Sequence, residues 1–303
     1  MAHDLLQRVT PGARVAVIRL RSLGDCVLTT PALALLKKHR PDLRIGVVVE
    51  DRFAELFAGN PDVDAVLAPT VAAVARWQPE LTLNLHGGST SSQLTFASRA
   101  RWRAGFDHFR FRALYNIRIP RAQQILGIDR KVHTAEHLAS AMFYLGVPSG
   151  EIPQARLYVD RGPRARKPYA VLHPMASALE KTWPAAHFLE LAEALEIEPV
   201  FIAGPGESLE PFEKFRCVAG ASLQGLKTLL SRASLFIGND SGPAHMAAAF
   251  GVPAVVLFGP SDPGIWSPWK TECAVLSAQP IESIPPAEVL AAVARLSQVE
   301  QTR

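Results

Sequence analysis

The stretch that decides the fold is residues 236–250, which read FIGNDSGPAHMAAAF. The pattern predicts a strand over Ser234–Gly238, a polar loop, and a helix of small residues over Pro243–Phe250. Gly251 then ends the helix. A strand that passes through a short loop straight into a helix is typical of a parallel sheet covered by helices. The free N–H groups at the start of such a helix can bind phosphate.

The same alternation of strands and helices runs along both halves of the chain, and predicts two parallel sheets in an α/β protein. The first half contains predicted strands over Arg14–Leu20, Arg44–Val49, Ala65–Leu67 and Leu81–Leu85, and helices over 30–39, 52–57 and 133–145. The second half contains predicted strands over Tyr169–His173, Pro199–Ala203 and Ala254–Phe258, and helices over 184–195, 226–231 and 286–297.

Length and composition predict two domains. The chain has 303 residues, of which 48% are hydrophobic and 20% charged, enough to bury two cores. Asp160–Pro168, rich in Pro, Gly and Arg, is the predicted linker, so the domains are expected over residues 1–160 and 161–303. We expect the final helix either to stay with the second domain or to pack back on the first.

Composition also excludes several classes of protein. The three cysteines, Cys26, Cys217 and Cys273, form neither a disulfide framework nor a zinc motif, which favours the cytoplasm. No signal core and no apolar run of about 18 residues is present, so we expect a soluble protein that at most lies on a membrane surface. A net charge of +4 is too small to indicate nucleic-acid binding.

Candidate chemistry lies in the loops after the strands, because ligands of parallel sheets bind at the carboxyl ends of the strands. Asp25 could be a general base or the N-cap of a helix. The helix after this loop is predicted to have Thr30 as its N-cap and Pro31 at its first position. Ser177 and Lys181 could bind phosphate, although a lone lysine is usually a solvated surface charge.

The loop at 239–242 has two interpretations. In the functional one, Gly242 lets a diphosphate approach the backbone, Asp240 accepts hydrogen bonds from sugar hydroxyls, and His245 binds phosphate. In the structural one, Asp240 or Ser241 caps a buried helix and His245 is a core residue. Glu207 could hold a nucleobase or ribose. Walker, HExxH and GxSxG motifs are absent from the sequence.

Taken together, the motifs resemble glycosyltransferase family 9, the ADP-heptose lipopolysaccharide heptosyltransferases. The resemblance spans nearly the whole chain, and its most specific pair is the Leu23-Gly24-Asp25 loop with Asn239-Asp240-Ser241-Gly242-Pro243-x-His245. The other matching stretches are 18–33 (IRLRSLGDCVLTTPAL), 60–62 (NPD), 83–87 (LNLHG), 173–174 (HP), 181–184 (KTWP), 204–207 (GPGE) and 238–263.

The resemblance implies a GT-B fold, in which two Rossmann-like domains face each other across a cleft, the first binding acceptor and the second donor. It implies inverting transfer, without metal or other cofactor, of a sugar such as heptose from ADP-heptose to an anionic lipopolysaccharide core or related glycan. The enzyme would work in the cytoplasm or at the cytoplasmic face of the inner membrane. A nucleotide-sugar epimerase of GT-B type and a non-catalytic nucleotide-sugar binding protein remain the alternatives.

The resemblance also implies roles for individual residues. Asp25 is the expected catalytic base, and Lys181 the residue that stabilises the leaving diphosphate. The expected donor-binding residues are Ser177, Lys181, Glu207, Asp240, Ser241, Gly242, Pro243 and His245, and the expected acceptor-binding residues are Arg21, Ser22, Gly24, His86, Gly87, Arg101 and Arg103. Asn84 stands where an aspartate is common in the family.

One segment carries much of the positive charge. Residues 99–121 hold seven arginines against the single acid Asp107. The segment is either a solvated face or a docking site for an acidic acceptor. Its aromatic residues, Trp102, Phe106, Phe109, Phe111 and Tyr115, would suit sugar stacking or contact with a membrane surface.

Overall fold

The chain divides into two compact units, Met1–Tyr158 and Val159–Arg303. The computed structural model describes residues 4–160 and 167–301, without the side chains of 297–301. Residues 161–166 of the predicted linker lie outside the described residues. None of the described helices is long and apolar enough to cross a bilayer.

The first unit is built on a six-stranded parallel sheet with the spatial order β3-β2-β1-β4-β5-β6. Its strands are β1 (Arg14–Ile18), β2 (Arg44–Val48), β3 (Ala65–Leu67), β4 (Leu81–Asn84), β5 (Trp102–Phe106) and β6 (Ile117–Ile119). Its helices are α1 (Leu5–Arg8), α2 (Leu23–His39), α3 (Val71–Trp77), α4 (Ser89–Ala97), α5 (Ala122–Leu126) and α6 (Thr134–Leu145), with 3-10 turns at Asp51–Phe57 and Arg112–Leu114.

The second unit repeats this topology with the order β12-β11-β10-β7-β8-β9. Its strands are β7 (Tyr169–His173), β8 (Glu198–Ala203), β9 (Arg216–Ala219), β10 (Leu235–Asn239), β11 (Ala254–Phe258) and β12 (Cys273–Ser277). Its helices are α7 (Ala185–Ala194), α8 (Leu223–Ser231), α9 (Gly242–Ala249), α10 (Pro263–Trp266) and α11 (Pro286–Gln301), with 3-10 turns at Leu179–Lys181, Glu210–Phe212 and Ile281–Ser283.

In each unit the strand order reverses between the first and fourth strands. The chain winds outward from β1 in one direction and from β4 in the other, and it does the same from β7 and β10. Loops that follow two such neighbouring strands leave the sheet in opposite directions and open a crevice at its carboxyl edge. The ends of β1 with β4, and of β7 with β10, are therefore the two places where a ligand fits the topology.

Helix α2 corrects one of the predictions. It begins at Leu23 rather than at Thr30, and Pro31 lies inside it. Proline has no N–H to donate to the carbonyl four residues earlier, which belongs to Val27. The Thr30 hydroxyl donates to that Val27 oxygen instead, at 2.8 Å. A neighbouring side chain thus replaces the missing backbone donor, and the helix continues through the proline.

The arginine-rich segment also differs from the prediction. It contains strands β5 and β6, and two of its aromatic rings belong to the core: Phe106 is fully buried and Tyr115 nearly so. The interpretation of these two rings as surfaces for sugar or membrane is therefore wrong. The two strands were not predicted from the sequence, because charged residues interrupt the apolar runs by which central parallel strands are recognised.

The core of the second unit packs around Trp183. Its indole is fully buried against Phe188 and donates to the carbonyl of Ile284 at 2.9 Å. Helix α11 supplies Ala292 and Leu296 to the same core and lies against α7, β11 and β12. The final helix thus packs on the sheet of its own unit.

A buried amide closes the carboxyl end of β4. The Asn84 carbonyl oxygen accepts from the backbone N–H groups of His86 and Gly87, both at 3.0 Å. Its NH2 group donates to the hydroxyls of Ser91 and Tyr115, at 3.2 and 2.9 Å. The Ser91 hydroxyl hydrogen is already used, because it donates to Gly88 O. The site therefore needs a side chain that accepts on one side and donates on the other.

We predict that Asn84→Asp destabilises the protein by about 1–3 kcal/mol, because a carboxylate offers no donor to the two hydroxyls and is buried. Asn116→Asp is the matched control. Its amide also accepts from one backbone N–H, of Arg103, and donates to one carbonyl, of Arg101, but it is exposed. Urea unfolding should show a loss below about 1 kcal/mol for the control. Equal losses for the two variants would contradict this account.

A histidine stacks on the core of the first unit. The ring of His137, on α6, lies 4.1 Å from the ring of Phe106, centroid to centroid. Burial, together with nearby His108 and Arg19, lowers the pKa of His137 from 6.5 to about 4. Since the unfolded chain binds this proton more readily than the folded one, stability is retained above pH 6.5 and lost as the pH falls from 6.5 toward 4.

We therefore predict that His137→Phe, which keeps a ring against Phe106, reduces the acid sensitivity of the protein. Between pH 7 and pH 5 the wild type should lose up to about 2 kcal/mol more of its unfolding free energy than the variant. Urea unfolding of both proteins at the two pH values measures the difference. Parallel pH dependence of the two proteins would show that His137 is not the titrating group.

Candidate functional site

At the first crevice, a buried arginine links the ends of β1 and β4. Arg19 follows β1, is 9% exposed, and donates to the carbonyl of Leu85, just beyond β4. Its guanidinium also forms an ion pair with Oδ1 of Asp25. The charge of Asp25 is therefore balanced from inside the protein by Arg19, which was not among the predicted site residues.

Asp25 itself lies in the first turn of α2. Its Oδ2 accepts from the backbone N–H and the hydroxyl of Ser22, at 3.2 and 3.1 Å. Ser22 is the N-cap and Asp25 is the third helical residue, so the two form a capping box. The prediction that Asp25 is the N-cap is wrong, because Ser22 holds that position. Its side chain remains 18% exposed, so Asp25 combines a structural role with access for a substrate.

More charges surround this position. Arg21 and Arg52 are both exposed, and Glu50 lies with them, 3.9 Å from Arg21 Nε and 2.7 Å from Arg52 Nη2. Glu50 and Arg52 follow β2, as Arg21 follows β1. Glu50 and Arg52 were not predicted from the sequence, although the carboxyl-edge rule applies to β2 as well.

The loop after β4 adds a histidine to the same edge. His86 is half-buried, and burial, with Arg19 second, lowers its pKa. It is neutral at neutral pH and can exchange hydrogen bonds with a hydroxyl. Gly87 has φ +81°, and its Cα faces the ring of Phe109, which a side chain at this position would strike. Arg21, Ser22, Gly24, His86 and Gly87 thus all lie at one edge of the sheet, with Asp25.

Two of the predicted acceptor residues lie elsewhere. Trp102 of β5 pairs with Leu81 of β4, so Arg101 lies beyond the amino ends of these strands, and Arg103 lies near them. Arg101 stacks on Trp102 at 5.0 Å, and Arg103 donates to Ala100 O at 2.9 Å. Because the strands are parallel, this edge is opposite the edge that carries Asp25. The structure does not bring these two arginines to the other predicted acceptor residues.

Other arginines of the segment do reach the carboxyl edge. Beyond β5 and around β6 they line an open pocket of about 600 Å³, whose wall consists of Asp107, His108, Arg112, Arg118, Pro120, Arg121 and Gln124. Arg112 pairs with Asp107 at 3.3 Å. Burial, with Arg121 second, lowers the pKa of His108. The pocket carries more cationic than anionic side chains and suits an acidic ligand.

At the second crevice, a buried amide holds the loop between β7 and α7. Asn239, the last residue of β10, is fully buried. Its NH2 group donates to Pro174 O at 2.9 Å, and its oxygen accepts from Trp183 N at 3.0 Å. One side chain therefore fixes both ends of the loop that carries Ser177, which is exposed, and Lys181.

Lys181 approaches the next residue of the motif. Its Nζ lies 4.0 Å from Oδ2 of Asp240. Burial raises the pKa of Asp240, against the opposing effects of Ser261 and Lys181. Lys181 is therefore partly exposed beside the nearly buried carboxylate of Asp240. The carboxylate can accept hydrogen bonds from sugar hydroxyls, and the ammonium group of Lys181 can bind an anion.

Helix α9, which follows Asp240, begins with small residues. α9 starts at Gly242, with Pro243 in its first turn, where proline is favourable. The Ser241 hydroxyl lies 2.9 Å from Nδ1 of His173. His245 is 5% exposed, within the helix. The first turn of α9 therefore offers backbone N–H groups at the carboxyl edge, next to Asp240.

The remaining predicted donor residue, Glu207, lies after β8. It is exposed, and its Oε2 accepts from Gly204 N at 2.6 Å, which closes the turn over Gly204–Glu207.

The structure shows neither a reactive thiol at Cys26 nor a metal site in its described part. Cys26 is buried, and burial raises its pKa to about 12, so its thiol stays protonated. Among the residues that the structure describes, no group of three His, Cys, Asp or Glu side chains is placed to hold a metal ion.

Comparison with known proteins agrees with these features. The sequence model of glycosyltransferase family 9 (heptosyltransferase) matches residues 73–288, more than half of the chain. The chain is 26% identical to lipopolysaccharide heptosyltransferase 3 of Escherichia coli over 303 residues, with 83% of this chain and 85% of the relative covered.

Two solved structures share the fold. The family 9 glycosyl transferase of Veillonella parvula has a TM-score of 0.82 at 24% identity, covering 94% of this chain and 97% of that one. E. coli heptosyltransferase WaaC with ADP has a TM-score of 0.77 at 20% identity, covering 93% and 99%. The α/β architecture predicted from the sequence and the GT-B fold that the resemblance implied are both confirmed. The chain therefore belongs to glycosyltransferase family 9 and is a glycosyltransferase.

Proposed function

We propose that this glycosyltransferase moves heptose from ADP-heptose to an acidic lipopolysaccharide core acceptor, with inversion and without a metal ion. The observation that carries the proposal is the second crevice, where Lys181, Asp240 and the start of α9 lie together. A lysine and helix N–H groups suit a diphosphate, and a carboxylate suits sugar hydroxyls. The names of the relatives, which include a heptosyltransferase solved with ADP, support this donor.

In the proposed reaction the second unit holds the donor. Ser177, Lys181, Ser241, Gly242, Pro243 and His245 surround the diphosphate, Asp240 binds the sugar, and Glu207 binds the nucleoside. As the bond from the anomeric carbon to the diphosphate oxygen breaks, negative charge grows on the leaving group. Lys181 and the positive end of α9 stabilise that charge.

The first unit holds the acceptor, with Asp25 as the base. A hydroxyl of the acceptor attacks the anomeric carbon from the face opposite the diphosphate, and Asp25 takes its proton. The ion pair with Arg19 and the hydrogen bonds from Ser22 fix the carboxylate in one orientation. Orientation of this kind lowers the entropic cost of bringing base and hydroxyl together.

The acceptor is proposed to be anionic because of the pocket beyond β5 and β6. Arg118 and Arg121 are exposed there, and Arg112 forms an ion pair with Asp107. Carboxylates and phosphates of a lipopolysaccharide core would bind these guanidinium groups. In this proposal the enzyme works at the cytoplasmic face of the inner membrane, where such an acceptor is anchored, and it does not bind nucleic acid.

The first test uses Asp25→Asn, which can still accept a hydrogen bond from Arg19. We expect turnover, measured as acceptor-dependent release of ADP, to fall about 10²–10⁴-fold, the usual scale for loss of a general base. Binding of ADP by calorimetry should not change, which excludes global unfolding. Ser22→Ala, which loses a contact to Asp25 but keeps the carboxylate, should lose far less activity. Wild-type turnover by Asp25→Asn would refute the assignment.

The second test separates donor binding from chemistry. Lys181→Met should weaken ADP binding about tenfold or more, since a charged partner of the diphosphate is lost. Wild-type protein that binds no ADP-, UDP- or GDP-sugar would refute the proposed function itself. Isomerised sugar nucleotide formed without acceptor would indicate an epimerase, and donor binding without any turnover would indicate a binding protein.

The third test concerns the acceptor pocket. The pair Arg118→Glu and Arg121→Glu should raise the acceptor KM about tenfold, because each exposed charge pair contributes up to about 1 kcal/mol and reversal adds repulsion. The effect should grow at low salt. Arg101→Glu, at the opposite edge of the sheet, is the matched control. A larger increase in acceptor KM for Arg101→Glu would indicate that the acceptor binds near Arg101 and Arg103, as predicted from the sequence.

A further inference from the structure

A buried histidine at the second crevice has no role in the reaction described above. His173 is the last residue of β7, is 7% exposed, and pairs in register with Gly238 of β10. A Cβ at Gly238 would lie 2.8 Å from the His173 carbonyl oxygen, so the two strands approach closely there. The backbone of His173 is therefore held in place by the sheet itself.

The imidazole reaches the helix that is proposed to bind the diphosphate. Its Nδ1 lies 2.9 Å from the hydroxyl oxygen of Ser241, the N-cap of α9. Two other N-cap hydroxyls of this chain accept from their own helix: Ser222 from Gly225 N, and Thr70 from Ala73 N, both at 3.1 Å. Among the described residues, Ser241 accepts no such bond from α9. Its hydroxyl is held by His173 instead.

The protonation state of His173 limits what this contact can be. Burial lowers the pKa of His173 to about 4, so the ring is neutral at neutral pH. A neutral imidazole has one nitrogen that donates and one that accepts. If Nδ1 accepted from Ser241, the hydroxyl would turn only its lone pairs to a ligand, and phosphate oxygens, which are acceptors, would be repelled.

We propose that His173 is a positioning residue, which donates from Nδ1–H to Ser241 Oγ and so leaves the Ser241 hydroxyl hydrogen for an oxygen of the bound diphosphate. This inference rests on the proposed function and extends it. Ser241 touches the ligand, whereas His173 acts only through Ser241. Through the Ser241 hydroxyl, the Nδ1–H tautomer of His173 favours binding of the diphosphate, and bound diphosphate favours that tautomer.

The test measures binding of ADP, inorganic pyrophosphate and adenosine to the full chain. His173→Leu cannot donate and should weaken ADP and pyrophosphate binding about 10-fold to 100-fold, the range for a hydrogen bond to a charged group. Adenosine binding should stay within about threefold, since it has no phosphate. His173→Asn, whose amide can place an N–H near the position of Nδ1, should restore most of the affinity.

A double-mutant cycle separates positioning from a structural role. In a Ser241→Ala background, His173→Leu should have no further effect on ADP or pyrophosphate affinity, because the hydroxyl that it orients is absent. Equal losses in both backgrounds, unchanged affinity in His173→Leu, or failure of His173→Asn to recover would each overturn the inference. Wild-type protein that binds neither ADP nor pyrophosphate would instead refute the proposed function.

Discussion

Each unit depends on the parallel pairing of its two central strands, β1 with β4 and β7 with β10. The loops beyond these strands diverge, so polar groups at their ends would face one another without partners. A buried side chain solves this problem in each unit: Arg19 bonds to the carbonyl beyond β4, and Asn239 bonds to Pro174 beyond β7. The charged groups of the candidate sites are placed on this frame.

Asparagine occupies the same topological position in both units. Asn84 ends the fourth strand of the first sheet and Asn239 that of the second, and both are fully buried. Each side chain accepts from backbone N–H and also donates: Asn84 donates to the hydroxyls of Ser91 and Tyr115, and Asn239 donates to Pro174 O. An aspartate could accept but not donate, which gives a physical reason for an amide at both positions.

The sequence predicted the regular elements best where burial is uniform. The strands Tyr169–His173 and Ala254–Phe258 are confirmed at both ends, because central parallel strands are continuous apolar runs. The start of α2 was wrong, since a side chain, the Thr30 hydroxyl, compensates for Pro31. Strands β5 and β6 were missed, since their arginines conceal the apolar pattern.

The sequence by itself determined the α/β class, the doubling of the architecture, and the loops in which chemistry-bearing residues occur, because periodicity and turn residues are local properties. Only the tertiary structure decided which of those residues meet. Strand register placed Arg101 and Arg103 at the edge opposite Asp25, and strand order brought Arg19 to Leu85 and His173 to Ser241. Such contacts join residues distant along the chain, and packing of the whole sheet fixes them.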